Sequence, residues 1–251
     1  MQHHLGHRAG TALTGLALLV SVSACQTAPR PAAAPPASGS SASASTSAAP
    51  ASGQREIPAA AFAKFPPFSG TAVQKYGQAT LRTAFREIVN YTFLAGWDPA
   101  LITKGATHLS GADLAYVRSY LTPKCRAALD AVFARVIVAD KQAIRKLEQA
   151  VFFGVAMPGG LKPIKSGHVV TDRRFTKASV SIDHTKGQTR LVMAFAAKAN
   201  IQMQDPSGAR HALPTGRVLR YWLVPNVGAD RSRRPFLIDT WAINMSVKPA
   251  V

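Results

Sequence analysis

The chain has 251 residues, 47% of them hydrophobic, with 30 Lys or Arg against 12 Asp or Glu and a formal net charge of +18. Arg8 and Arg30 are the only charged side chains before residue 55, so residues 55–251 carry 28 basic against 12 acidic groups, an excess of 16. Those 197 residues suit one domain with a sizeable core, and the excess excludes indifference to polyanions such as phospholipid headgroups, cell-wall phosphate polymers or nucleic acid.

Residues 1–24 read as a secretory signal. A basic start at Arg8, with His3, His4 and His7, precedes an apolar stretch from Ala9 to Val22 that ends at the small residues Ser23 and Ala24. The stretch is shorter than the ~20 apolar residues a membrane span needs, and Gly15 interrupts it, so it predicts cleavage. Val22-Ser23-Ala24-Cys25 resembles the lipobox of bacterial lipoproteins. The resemblance implies diacylglyceryl transfer to the Cys25 sulfur, cleavage before it, and a protein anchored to the outer face of the cytoplasmic membrane. An ordinary secreted protein with a chance cysteine is the competing reading. Residues 25–54 then form a lipidated cysteine and a tether of Ala, Pro, Ser, Gly and Thr, too poor in apolar surface to offset chain entropy by folding. Export argues against nucleic acid as the natural target. With Cys25 acylated, Cys125 is the one remaining thiol, no internal disulfide forms, and its spacing to Ala128, Leu129, Val132 and Phe133 turns it to the core.

Residues 55–251 are expected to fold as a single α+β domain, helices first. Leu81, Phe85, Ile88, Val89 and Thr92 recur at three- and four-residue spacing and predict a helix between Thr71 and Ala95, ended by Gly96. Ser110-Gly-Ala-Asp113 reads as a capping box before Leu114, Val117 and Leu121. Thr122-Pro123 starts another helix through Val136, and Asp140 to Phe152 continues or restarts it on Ile144, Leu147 and Val151. Met157 to Gly160 closes the helical half. The period then changes to two. Leu191, Met193, Phe195, Ala197, Ala199, Ile201 and Met203 are apolar throughout, while the alternate set starts apolar at Val192, Ala194 and Ala196 and turns polar at Lys198. This predicts a long strand in a bent sheet, buried along one whole face and along only the first part of the other. Flanking strands are expected at Lys177–Asp183, Arg217–Val224 and Phe236–Met245.

Helices packed in the concavity of a curved antiparallel four-stranded sheet, a cone-like roll, resemble the nuclear transport factor two-like, or cystatin-like cone, superfamily. The matching features are the long first helix, the capped segment at Ser110, the strand around Phe195 and the closing strand from Phe236 to Met245. The tether makes the chain similar to actinobacterial surface lipoproteins. The superfamily hosts enzymes, ligand pockets and assembly modules, so the resemblance implies a fold and leaves function to the site.

For chemistry inside the cone, Asp239 is the candidate, because alternation puts it on one strand face with Leu237, Trp241 and Ile243, where burial would raise its pKa. The competing reading is an ion pair to Arg217 or Arg220. His108, His168, His184 and His211 show no metal-ligand spacing, and no nucleophile elbow, zinc-protease or phosphate-loop motif occurs. No cofactor and no metal are therefore expected. Basic groups recur in three places: Arg231, Arg233 and Arg234 between two strands, Arg210 with His211 in the preceding loop, and Arg173-Arg174 near the first strand. Gathered at one sheet end they would face an anion; pointing apart they are solvated loops. The expectation is a non-enzymatic, lipid-anchored binding or assembly module. Its partner would be an anionic lipid or wall polymer, or an envelope protein complex. The alternative is a small-molecule-binding or enzymatic domain using the cone interior.

Overall fold

A computed structural model describes residues 57, 59–63, 67–151, 160–164 and 168–244. Cys25, the segments before it and the tether lie outside the described residues, as do Met157 and Met245. The helical half consists of α1 (Ala59–Ala63), α2 (Thr71–Tyr76), α3 (Gln78–Tyr91), α4 (Pro99–Lys104), α5 (Ala115–Ser119), α6 (Pro123–Ile137) and α7 (Lys141–Val151). The sheet follows: β1 (Lys162–Pro163), β2 (Val170–Asp183), β3 (Arg190–Gln204), β4 (Arg210–Pro225) and β5 (Phe236–Asn244). Among the described residues no helix is long and apolar enough to cross a membrane.

The sheet is antiparallel throughout and follows chain order. β1 and β2 both pair with the same flank of β3, so the two-residue β1 extends the edge formed by β2 and the curled sheet is four strands wide. This is the α+β, cone-like arrangement expected from the sequence. All seven alternate apolar positions of β3 from Leu191 to Met203 are buried. α3 fills the concavity. Its Phe85 ring stands edge-on to Phe195 of β3 at 5.7 Å and to Phe175 of β2 at 5.6 Å, and Tyr91 meets Tyr221 of β4 at 6.1 Å. Such aromatic pairs add ~0.5–1.5 kcal/mol beyond the area they bury.

The expected helix over residues 71–95 is broken once and widened once. Gly77, at φ 76°, takes a left-handed conformation that costs glycine little; its N–H caps α2 through Val73 O, and its carbonyl accepts the first bond of α3. Beyond Tyr91 the helix widens to a π-helical turn over Thr92–Gly96. The capping box forms as read, with Ser110 N donating to Asp113 Oδ2 at 2.7 Å and Asp113 N to Ser110 Oγ at 3.4 Å. The helix after it is only five residues long, because Tyr120–Thr122 leaves it to meet the sheet. Ile238 N donates to Tyr120 O, Thr122 N donates to Ile238 O, and Leu121 bridges Ile238, so this segment covers part of the outer edge of β5.

Thr122 then caps α6 by accepting from Cys125 N. Cys125 is buried, as expected.

Asp113 is held down to a pKa of about 2, first by the hydrogen bond from Lys104 and then by the Ser110 N–H. A depressed carboxylate contributes stability that is full above its unfolded value of ~3.9 and is lost as pH falls through the folded value. Asp113→Asn is expected to lower the melting temperature by about 3 °C at pH 6, near the value of one helix cap. The difference from the parent should close between pH 4 and pH 2 in thermal scans; a difference independent of pH would refute the assignment.

Candidate functional site

Register assigns every side chain of the central strands to the concave or the convex side. On β4, Tyr221, Leu219 and Leu223 pair with the inward β3 residues Met193, Phe195 and Leu191, whereas Trp222 and Arg220 pair with the outward Val192 and Ala194. The convex set lines a half-open groove of about 680 Å³ with Ser179, Ser181, Thr240 and Arg190. That volume lies within the ~300–1,000 Å³ typical of ligand clefts. Its floor is the apolar start of the alternate set, where Val192 is buried and Ala194 half-buried before Lys198 is exposed, as the sequence pattern predicts.

Arg190 organises one wall. Its Nη2 donates to Asp183 Oδ2 at 2.9 Å and to Thr185 Oγ1 at 3.0 Å, and its Nη1 reaches Asp239 Oδ2 at 3.4 Å. Bonds from the Thr185 backbone N–H and hydroxyl, with the Arg190 charge, hold the Asp183 carboxyl below its ordinary range. Arg220 has its guanidinium 5.9 Å from the centre of the half-buried Trp222 ring, a cation–π arrangement. Arg220 is in no ion pair among the described residues.

Asp239 therefore does not share a face with Trp241. One extra residue in β5, between the pairs Trp222↔Thr240 and Leu223↔Ile238, forms a bulge at Asp239 and reverses the alternation there. Ile238, Trp241 and Ile243 are buried inward, and Asp239 turns to Arg190, where neither Arg217 nor Arg220 is its partner. Trp241 belongs to the core at 3% exposure and only borders the groove. The concave side, where an interior site would lie, is occupied by Phe85, Phe195, Tyr221 and Tyr91.

The six arginines read as an anion patch do not gather. Arg210 sits at the β3–β4 hairpin, and Arg231 and Arg233 lie in the β4–β5 loop at the other end of the sheet. Arg174 pairs with Lys198 across β2 and β3, while Arg173, half-buried within a bulge, has its pKa lowered by burial and feels the Asp98 charge. Arg234 is buried. Its guanidinium lies 3.8 Å over the Tyr120 ring, and its Nη1 donates to Ser119 O and reaches Asp230 at 3.4 Å. Tyr120 donates to Glu87 at 3.3 Å, which leaves Tyr116 as donor in the 3.0 Å bond between the two phenols. Burial raises the Glu87 pKa against the opposing charges of Arg234 and Arg233. This knot fastens the β4–β5 loop to α3 and α5. Among the described residues no group of His, Cys, Asp and Glu suits a metal ion.

Sequence reasoning missed Arg190, Arg220 and Trp222 as a set. The available signal was parity along β4, where Arg220 and Trp222 stand opposite in phase to Leu219, Tyr221 and Leu223.

Removing the Arg190 side chain strands two carboxylates beside each other. Arg190→Met should cost about 3 kcal/mol in urea unfolding, and adding Asp239→Asn should recover part of it. A single-variant cost under about 0.5 kcal/mol would show that the pairs are solvated ornaments. No family model, curated protein or solved structure matches the chain.

Proposed function

We propose that the protein is a non-enzymatic, lipid-anchored binding module on the outer face of the cytoplasmic membrane, engaging an anionic envelope component through its convex face. The observation that carries the reading is the run ending Val22-Ser23-Ala24-Cys25, followed directly by a tether without a core-forming residue pattern. The excess of 16 basic groups after residue 54 supports an anionic partner. The filled concave side supports placing recognition outside the cone. A groove of about 680 Å³ with a guanidinium and an indole on its lining gives that recognition a place.

A bilayer close to the globule suits one further feature. The α6–α7 turn carries Ile137 and Val138 at 71% and 76% exposure, next to exposed Lys141 and Arg145. Two aliphatic side chains amid cations fit an anionic headgroup layer, which draws each nearby cation by ~1 kcal/mol.

Metabolic labelling with a fatty-acid analogue should mark the native protein and leave Cys25→Ala unmarked and soluble. One sulfur carries a lipid or a disulfide, never both. A native protein in which Cys25 is unacylated, whether free or linked to Cys125, overturns the anchor. For the charge argument, the full chain should bind vesicles containing anionic lipid with an affinity that falls about tenfold or more between 50 and 300 mM salt. Binding insensitive to salt refutes it.

A further inference from the structure

The convex groove opens onto a strip of defined composition. Trp222 and Arg220 mark one end of it. Along β3, the outward residues continue through Ala194 and Ala196 to Lys198, and pairing places Arg220 beside Ala194, Val218 beside Ala196 and Arg174 beside Lys198. Val218 is 47% exposed, and Lys198 and Arg174 are exposed. Four residues of β3 separate the Arg220 row from the Lys198 row, about 13 Å at ~3.3 Å per residue. Ser179 and Thr176 of β2 run alongside, opposite Ala194 and Ala196, and supply hydroxyls.

The charges of the strip are unevenly neutralised. Arg190 answers both Asp183 and Asp239, so these three groups carry a net charge of −1 and leave the anion to the cations further along the strip. Arg220, Lys198 and Arg174 are in no ion pair among the described residues. The strip thus offers an indole, a narrow apolar floor, a hydroxyl rim and cations at intervals. Each part answers one property of a sugar chain. The electron-rich face of an indole attracts the C–H hydrogens of a pyranose face. Ring hydroxyls, each donor and acceptor, match serine and threonine hydroxyls. Guanidinium and ammonium groups at intervals match acid groups repeated along a polymer. A phosphate polymer would use the cations and have no use for Trp222 or the apolar floor.

We propose that the convex strip from Trp222 to Arg174 binds a saccharide chain bearing carboxylates. This deepens the reading of the same face given above and rests on it for compartment.

The test titrates detergent-extracted full-length protein with tetragalacturonic acid, followed by tryptophan fluorescence and calorimetry. Trp97 does not line the groove but Trp241 borders it, so the spectral change is assigned to Trp222 by its loss in Trp222→Ala while calorimetry follows binding. The expected result is saturable binding, weakened about tenfold in Trp222→Ala and about fivefold in Arg220→Gln, with neutral maltotetraose at least about tenfold weaker. Arg220 is exposed and in no ion pair, so Arg220→Gln keeps the test decisive if Trp222→Ala fails to fold. Absence of binding, equal affinity for maltotetraose, or inorganic polyphosphate binding as tightly as the saccharide overturns the proposal. Fatty-acid labelling at Cys25 is read independently, so a failed titration beside a labelled protein removes the ligand and leaves the anchor standing.

Discussion

An unbroken antiparallel ladder from Leu191↔Leu223 to Gln204↔Arg210 decides which side of the molecule each residue of the two central strands serves. Side chains alternate, so a slip of β3 by one residue would turn Phe195, Ile201 and Met203 to water and bring Lys198 and Asn200 into the core. Burying each large aliphatic or aromatic side chain contributes ~1.5–3 kcal/mol, and several such residues lie along β3, which makes the register costly to lose. The helices need that inward face, because Phe85 of α3 packs on Phe195. The groove needs the outward one.

The two flanking ladders, β2 with β3 and β4 with β5, do carry breaks, and those in β2 have a consequence. Asp172 and Lys177 take left-handed conformations, φ 52° and 55°, in two bulges of edge strand β2, which bend it and spoil it as a template for a foreign strand. The opposite edge is closed differently. Tyr120–Thr122 pairs with Ile238, and the loop that leads into β5 is fixed by Arg234 over Tyr120 and by Asn226, whose amide donates to Asp230 and to Arg234 O. Burying Arg234 and Glu87 together carries a desolvation cost. Their proximity and the Tyr120 hydroxyl offset it in part, and the raised Glu87 pKa is the remainder.

Much of this was legible in the chain. The two periods separated helices from strands, the seven alternate positions of β3 identified the buried face, and Ser110, Thr122 and Asp140 marked helix or turn starts that their side chains do cap. Three things were not legible, for physical reasons. A bulge is one inserted residue, and nothing in Ile238-Asp239-Thr240 distinguishes it from regular alternation; the face of Asp239 was misread for that reason alone. Gly77 splits the expected helix ahead of Leu81, the first residue of the apolar stripe, so the stripe carried no information about the break. Arg234 reads as one more member of a basic loop, because its burial depends on Tyr120 and Glu87, which are distant in sequence.

Proximity in sequence was a poor guide to where charge acts. Arg231, Arg233 and Arg234 are near neighbours, yet two are exposed at a loop and one is buried beneath it. Arg174, Lys198 and Arg220 come from three different strands and stand on one face. At physiological ionic strength exposed charges are screened beyond ~8 Å, so a net excess spread over the whole surface attracts weakly and without choice. Selectivity requires cations within contact range of one ligand and near groups that recognise something other than charge. On the described surface that condition is met where Arg220 lies against Trp222, with Lys198 and Arg174 further along the same strip. Under the proposed reading, the uniform excess would have a separate role, bringing a polyanion near enough for the strip to discriminate.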